Sequence, residues 1–395
     1  MTRLLPDARA DVLVIGGGII GLAVAWRTAQ RGLRTVVVDP SPGDGAGRVA
    51  AGMLAPVTEL QYGEEPLLRL GVASNRRYAD FAAELAEASG GLDTGYRACG
   101  TIAVALDSDD RAELRELHAF HLRLGLDSTW LTGREARKLE PMLAPGVRGG
   151  LHVADDHQVD PRRLLTALLP AGERAGVTVR RAGAVELLVE GGRAVGARLS
   201  TGESVGADQV VLAAGPHSHR LPGLPEGVLP AVRPVKGQVL RLRVPDAYRP
   251  FLSRNVRAVV RGGHLYLVPR ENGELVIGAT TEEQGYDTTV TAGGVYELLR
   301  DAHELVPGIT ELPLLETSAG LRPGSPDNAP LLGPTALPGL VAATGHYRNG
   351  VLLTPVTADL VSEYLATGEL PELAQPFSPT RFSPDSARST TKALA

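Results

Sequence analysis

The sequence predicts an α/β fold in two parts, a doubly wound, mainly parallel sheet and a second unit built on an antiparallel sheet. Three observations carry this reading. A glycine-rich turn at 16–21 separates an apolar run from a slim helical stretch. Two further apolar runs, 208–215 and 339–345, each end in glycine. Between them, from 238 to 278, short β-forming stretches surround Gly262-Gly263 and Asn272-Gly273, pairs that signal hairpins.

The first strand is Val12 to Ile15, a continuous apolar run suited to a parallel strand buried on both faces. Gly16, Gly18 and Gly21 follow in the spacing GxGxxG. Gly16 permits the tight turn, Gly18 lets a pyrophosphate approach the backbone at the helix N-terminus, and Gly21 lets helix and strand pack closely. Ile19 and Ile20 open that helix, kept slim by Ala23, Ala25 and Ala29. Thr35 to Asp39 is the next strand, and Asp39 at its end is placed to accept hydrogen bonds from ribose hydroxyls. The acid also argues against a 2′-phosphate, which calls for an arginine. An adenine dinucleotide is expected, and the motif alone fits FAD and NAD alike.

A Gly/Pro-rich loop to Gly47 and a small-residue segment, 48–55, come next, then a predicted helix from Pro66 through Ala88. Leu114, Leu117 and the 121–124 cluster recur at helical spacing between about Asp107 and Leu124. Asp160-Pro161 reads as an N-cap followed by a first-turn proline, starting a helix to about Gly176. Extended segments are predicted at 177–180, 184–189, 194–199 and 208–215, the last rejoining the first sheet. Stretches 238–244, 258–260, 264–268 and 275–278 form the second, antiparallel sheet. A helix spans about 294–305, and the Pro/Gly-rich 320–334 region carries the chain back. The strand 339–345, the loop 346–350 and a helix over about 354–365 close the fold.

Composition narrows the classes of function. The chain has 395 residues, 43% of them hydrophobic and 4% aromatic, with a formal charge of −5. No basic arm or stripe suggests nucleic acid. No apolar run approaches the ~20 residues that span a bilayer. Met1–Asp7 breaks its short apolar stretch with Pro6 and Asp7 and lacks a secretory core, so a cytoplasmic setting is expected. A lone cysteine, Cys99, excludes an internal disulfide and reads as a buried small hydrophobe. The nine histidines are scattered, and no metal site is expected.

The glycine fingerprint, Ala50-Ala51-Gly52-Met53-Leu54, the hairpin strand 264–270, Gly278-Ala-Thr, 319–324 and 345–350 together resemble the FAD-dependent D-amino-acid oxidase superfamily. Within it they are most similar to the glycine-oxidising branch tied to thiamine biosynthesis. The resemblance runs from near residue 10 to near residue 365. It implies a discontinuous FAD-binding domain (8–90, 150–225, 318–376) and a substrate-binding domain (91–149, 226–317); the composition beyond Pro376 separately predicts a disordered tail (377–395). The resemblance also implies non-covalent FAD, because the positions that carry flavin links in some relatives offer no cysteine. FAD contacts are expected from Gly16, Gly18, Ile19, Ile20, Gly21, Asp39, Ala51, Gly52, Met53, Gly215, Arg322, His346, Arg348, Asn349, Gly350, Val351 and Leu352.

The resemblance places Arg322 and Tyr266 at the substrate carboxylate, as the catalytic pair. A guanidinium can hold a carboxylate through two parallel N–H bonds that lysine cannot reproduce. The competing reading pairs Arg322 with Asp327 in its own loop. Tyr266 and His264 lie two apart on a strand and share a face, although a strand aromatic is commonly plain core. Arg348, at the mouth of the last helix, would add positive charge near a reduced flavin, or would be a surface arginine. Met53 and Thr281 would line the pocket, with Met53 equally suited to filling a gap in the core. The implied reaction is hydride transfer from a substrate Cα to flavin N5. It yields an imine, then glyoxylate and ammonia, with dioxygen reduced to hydrogen peroxide. Alternatives are a sarcosine or D-amino-acid oxidase, a quinone-linked dehydrogenase, and a dinucleotide-binding protein without catalysis. Small amino acids, dioxygen and a second copy of the chain are the expected partners.

Overall fold

The computed structural model describes residues 9–383. Met1–Asp7, read as lacking a secretory core, and residues 384–395 of the expected tail lie outside the described residues. The chain opens with β1 (Ala10–Ile15), α1 (Ile19–Gln30) and β2 (Thr35–Val38), then α2 (Ala46–Val49), β3 (Met53–Leu54) and α3 (Glu65–Ala88). A second group follows: β4 (Thr101–Ala105), α4 (Ser108–Arg123), β5 (Thr129–Thr132), α5 (Gly133–Leu139) and β6 (Gly149–Val153). The chain continues through β7 (His157–Gln158), α6 (Pro161–Arg174), β8 (Thr178–Arg180), β9 (Ala184–Glu190), β10 (Arg193–Leu199) and β11 (Ser204–Leu212). Then come β12 (Arg233–Arg243), β13 (Asn255–Val260), β14 (Gly263–Pro269), β15 (Glu274–Gly278) and α7 (Ala292–Leu305). The last elements are β16 (Leu314–Gly324), β17 (Leu331–Pro334), β18 (Leu340–Thr344) and α8 (Thr354–Thr367).

Helix starts are written in the side chains. Asp107 caps α4 by accepting from the N–H of Asp109 and Asp110, and Asp160 caps α6 through Arg162 and Arg163, with Pro161 in the first turn. Thr132 and Glu135 form a reciprocal capping box at α5.

The first sheet runs β17-β18-β11-β1-β2-β8, with β10 and β9 continuing from β11. β1 is parallel to both β2 and β11, and β11 is parallel to β18. The run at 208–215 therefore returns beside the first strand, and the run at 339–345 joins the same sheet beside β11. Val12 and Val14 pack under α1, α3, α6 and α8, while Leu13 and Ile15 face the opposite core, which β9 and β10 help to close. Burial on both faces is why β1 reads as unbroken apolar sequence.

The second sheet runs β16-β12-β15-β14-β13-β4-β6-β5. All its pairs are antiparallel except β13 with β4. One face carries Leu240, Leu242, Leu265 and Leu267 against α7. The other carries Val239, Val268 and Val276, packed with Ala51, Met53 and Tyr266. The period of two along each strand makes this division.

Several expectations need correction. β4, β5 and β6 were not anticipated as strands of the second sheet. The expected boundary at 149/150 falls inside β6, which pairs with β4 and β5, and the boundary at 317/318 falls inside β16. The 320–334 region begins within that strand, not as a loop. β16 runs through Pro323 because it is an edge strand, where a missing N–H costs the ladder little. The tail does not start at 377: Phe377 is 2% exposed and Arg381 pairs with Asp327 at 2.8 Å. Cys99, expected in the core, is half-buried, with its Sγ accepting from Gln158 Nε2 at 3.4 Å.

Candidate active site

The glycine turn is built to receive a phosphate. Gly16 has φ +110°, and a Cβ on it would lie 2.6 Å from the carbonyl carbon of Ala213, so the turn requires glycine. A Cβ on Gly21 would press on the Gly16 carbonyl. Gly18 is different: among the described residues nothing stands within 4 Å of where its Cβ would be. No packing demand explains that glycine, whereas an approaching ligand does. Gly18 caps α1 without a side-chain hydrogen bond, so the first-turn N–H groups of Ile19, Ile20 and Gly21 remain directed at the same opening.

Asp39 orders the adjoining turn, accepting from the N–H of Gly17 and of Ser41, each at 2.7 Å on a different oxygen. Each oxygen keeps a lone pair for ribose. At the far end of the groove, Gly215 has open space at its Cβ position. Before α8, the N–H groups of Gly350, Val351 and Leu352 donate to no acceptor among the described residues. Their carbonyls are pinned from behind, Val351 by Tyr78 Oη at 2.9 Å and Leu352 by Ser74 Oγ at 2.6 Å. Uncapped amides at two helix starts fit an FAD, one set for its pyrophosphate and the other for an electron-rich ring edge.

Other expected cofactor residues have structural duties. Gly52 is required by packing, since a Cβ there would meet Pro161 Cδ at 2.7 Å. His346 is 2% exposed and its Nε2 meets Thr357 Oγ1 at 3.0 Å. Burial pushes its pKa down to about 3. Its ring is committed to α8, leaving only its main chain for a ligand. Asn349 is buried at the same turn.

Arg322 and Tyr266 meet on the second sheet. Arg322 is opposite Val235 on β12, and Tyr266 on β14 is opposite Gly278. Arg322 Nη1 donates to the carbonyls of Thr280 at 3.1 Å and Lys236 at 3.3 Å. Among the described residues no carboxylate or carbonyl accepts from Nε or Nη2, which leaves them facing Tyr266 and open to a carboxylate. Asp327 takes no part, because it pairs with Arg381. The Tyr266 phenol lies within hydrogen-bonding reach of the guanidinium. Burial raises its pKa while Arg322 opposes the rise, so the phenol stays a donor at neutral pH. Met53 packs in the same apolar cluster as Tyr266. Thr281 is exposed, next to the Thr280 carbonyl that orients Arg322.

Arg348 is neither a surface arginine nor a free cation. Its Nη2 donates to the Glu59 carbonyl at 2.9 Å and Glu64 Oε2 at 3.2 Å, and the Glu59 carboxylate pairs also with Arg257. Arg257 is opposite Tyr266 across β13 and β14. His264 is open to solvent on one side; loss of water on the other, then the Arg257 and Arg348 charges, lower its pKa.

Sequence reading missed Glu59, Glu64 and Arg257, and also Gly237, over which Arg322 lies. For Arg257 a signal existed, its place one residue before the predicted strand that leads into the Gly262-Gly263 turn. For the two acids there was none, since they belong to a segment that only tertiary contacts bring to Arg348.

These features have counterparts in known proteins. Glycine oxidase of Geobacillus kaustophilus is 35% identical over 377 residues, covering 94% of this chain and 97% of its own. A crystal structure of glycine oxidase from that organism superposes with a TM-score of 0.87 at 34% identity, covering 95% and 99% of the two chains. The bifunctional protein ThiO/ThiG of Synechocystis is 36% identical over 94% of this chain, which spans about half that relative's length (54%). Residues 11–364 match the family described as FAD dependent oxidoreductase, DAO, and the chain belongs to that family.

Proposed function

We propose that this chain is an amino-acid oxidase acting on glycine and other small amines such as sarcosine or D-alanine. In this reading it holds FAD non-covalently, uses dioxygen as acceptor, works in the cytoplasm as a homo-oligomer and serves thiamine biosynthesis. The observation that carries the activity is the pairing of a half-free guanidinium, Arg322, with a protonated phenol, Tyr266, on one sheet face. The similarity to glycine oxidase and to ThiO/ThiG supports the substrate class and the biosynthetic role.

Arg322 would hold the substrate carboxylate through Nε and Nη2, with its own orientation set by the carbonyls of Thr280 and Lys236. Tyr266 would donate to the same carboxylate. Two fixed donors leave the amine and the Cα little freedom, which is how binding energy becomes positioning. His264, held neutral, can accept from the amine or order a water beside it. Met53 and Val239 exclude water from one side. FAD, when bound, supplies the two-electron acceptor and delivers those electrons to dioxygen. The overall change is glycine, dioxygen and water to glyoxylate, ammonia and hydrogen peroxide.

The test is a panel of glycine, sarcosine and D-alanine with the purified yellow protein and peroxide detection. One peroxide per glyoxylate from glycine is the expected result. Turnover only with an added quinone would make it a dehydrogenase, and no turnover of any of the three would overturn the reading.

A further inference from the structure

A second cleft, about 310 Å³ in free space, lies at the far end of the β14–β15 hairpin and shares no lining residue with the Arg322 site. Three arginines line it: Arg97, Arg249 and Arg270. Each is held in place by neutral oxygens. Arg270, 8% exposed, donates to Gln158 Oε1 at 2.6 Å, to the Val159 carbonyl at 3.0 Å and to the Ala51 carbonyl. Its Nε is buried without a partner, and no carboxylate within 4.0 Å pairs with it among the described residues. Arg97 donates to the carbonyls of Ser253 at 2.9 Å and Pro269 at 3.3 Å. Arg249 donates to Asn272 at 3.0 Å and Val244 at 3.3 Å.

The acids nearby do little to cancel these charges. Glu271 stands 4.0 Å from Arg97 with its side chain 77% exposed, and Asp246 stands 3.3 Å from Arg249 with its side chain 91% exposed. Pairs so open to water and salt neutralise weakly. Glu274 is already committed to Arg241 at 2.5 Å. A guanidinium has five N–H donors, and the carbonyls use only some of them. Phe251, Pro250 and Leu252 form an apolar wall beside the cations. The volume lies at the small end of the range for ligand sites, ~300–1,000 Å³.

We propose that this cleft is a second ligand site, taking a small molecule that carries a phosphate or carboxylate oxyanion on an apolar body. The arginines receive the oxyanion through forked N–H pairs, which phosphate and carboxylate both match. Phe251 and Pro250 cover the apolar part. Arg270 joins the cleft to the Ala51 carbonyl, one turn of chain from Met53.

The experiment is calorimetric titration of the FAD-loaded protein with phenyl phosphate, phenylacetate and inorganic phosphate. One phenyl-substituted anion is expected to bind at one site per chain, with a Kd of about 1 mM or tighter, and whichever binds more tightly identifies the oxyanion. Arg97→Gln and Arg249→Gln should each weaken it about tenfold or more while glycine turnover stays unchanged, and Arg322→Ala should leave this binding intact. Absence of saturable binding overturns the proposal. So does binding that is lost in Arg322→Ala and kept in Arg249→Gln, which would place the anion in the active site. Equal affinity for inorganic phosphate and both phenyl compounds would overturn the apolar wall as part of the site.

Discussion

The guanidinium of Arg322 lies flat over the Cα of Gly237 on the neighbouring strand, so close that a Cβ there would stand 2.5 Å from Nη1 and 2.6 Å from Cζ. Gly278 does the same for Tyr266, where a Cβ would stand 2.5 Å from Cε2. Two missing side chains thus make the floor on which the carboxylate-binding pair rests. Gly237→Ala should push Arg322 out of position and raise KM for glycine about tenfold or more, with the flavin spectrum unchanged. An unaltered KM would show that the floor is not needed.

Arg322→Ala removes the guanidinium itself. FAD content should persist while kcat/KM for glycine falls by an amount equivalent to about 2–5 kcal/mol, the cost of leaving a carboxylate unpaired in a partly dry site. Steady-state kinetics with a flavin count per chain would decide it, and retained turnover would refute the role.

Gly18→Val places a branched side chain in the space that no described residue occupies. The fold should survive, because no neighbour is displaced, but FAD should be lost. Circular dichroism together with the visible absorption of the flavin reads both. Full flavin occupancy would contradict the phosphate cradle.

Asp156 ties the 57–58 loop, just before Glu59, by accepting from Thr58 N–H and Oγ1, each at 2.7 Å, and from Val57 N–H at 3.3 Å. Burial pushes its pKa up to about 7 from 3.8. The folded state therefore holds a proton that the unfolded chain releases, so this group's contribution is complete below the unfolded value and is lost as pH rises through about 7. Asp156→Asn does not titrate. The Tm deficit of the variant should be larger at pH 5 than at pH 8, by about 2 °C or more. A constant deficit would show that Asp156 does not titrate between those two pH values.

Phe377→Ala tests the corrected tail. Truncating a ring that is 2% exposed should cost about 3–5 kcal/mol, read by denaturant unfolding. A change below about 0.5 kcal/mol would return the segment to a dispensable tail.

What could be read in advance was what local physics compels. A strand buried on both faces must be apolar throughout, a phosphate turn must spare its side chains, and helices announce their starts through Asp107, Asp160 and Pro161. These made β1, α1, α4, α6 and the glycine cradle legible. The β14–β15 hairpin was legible for the same reason, since Asn272-Gly273 is a local turn preference. β4 was missed because its partner β13 is some 150 residues away in sequence, Ile102 lying opposite Val256, and β6 and β5 join the sheet only by way of β4. The tail was misread because its composition is polar, while the contact that orders it, Arg381 with Asp327, spans 54 residues.

By itself the sequence pointed to a dinucleotide site after the first strand and, through its family resemblance, to Arg322 and Tyr266 as candidates for a substrate carboxylate. Only the tertiary structure decided that Arg322 ignores Asp327 and keeps two donors free, and that Arg348 is claimed by Glu59 and Glu64. The reason is physical. A backbone turn is settled by its own few residues, whereas the partner of a long charged side chain is settled by which carboxylate the fold brings near it.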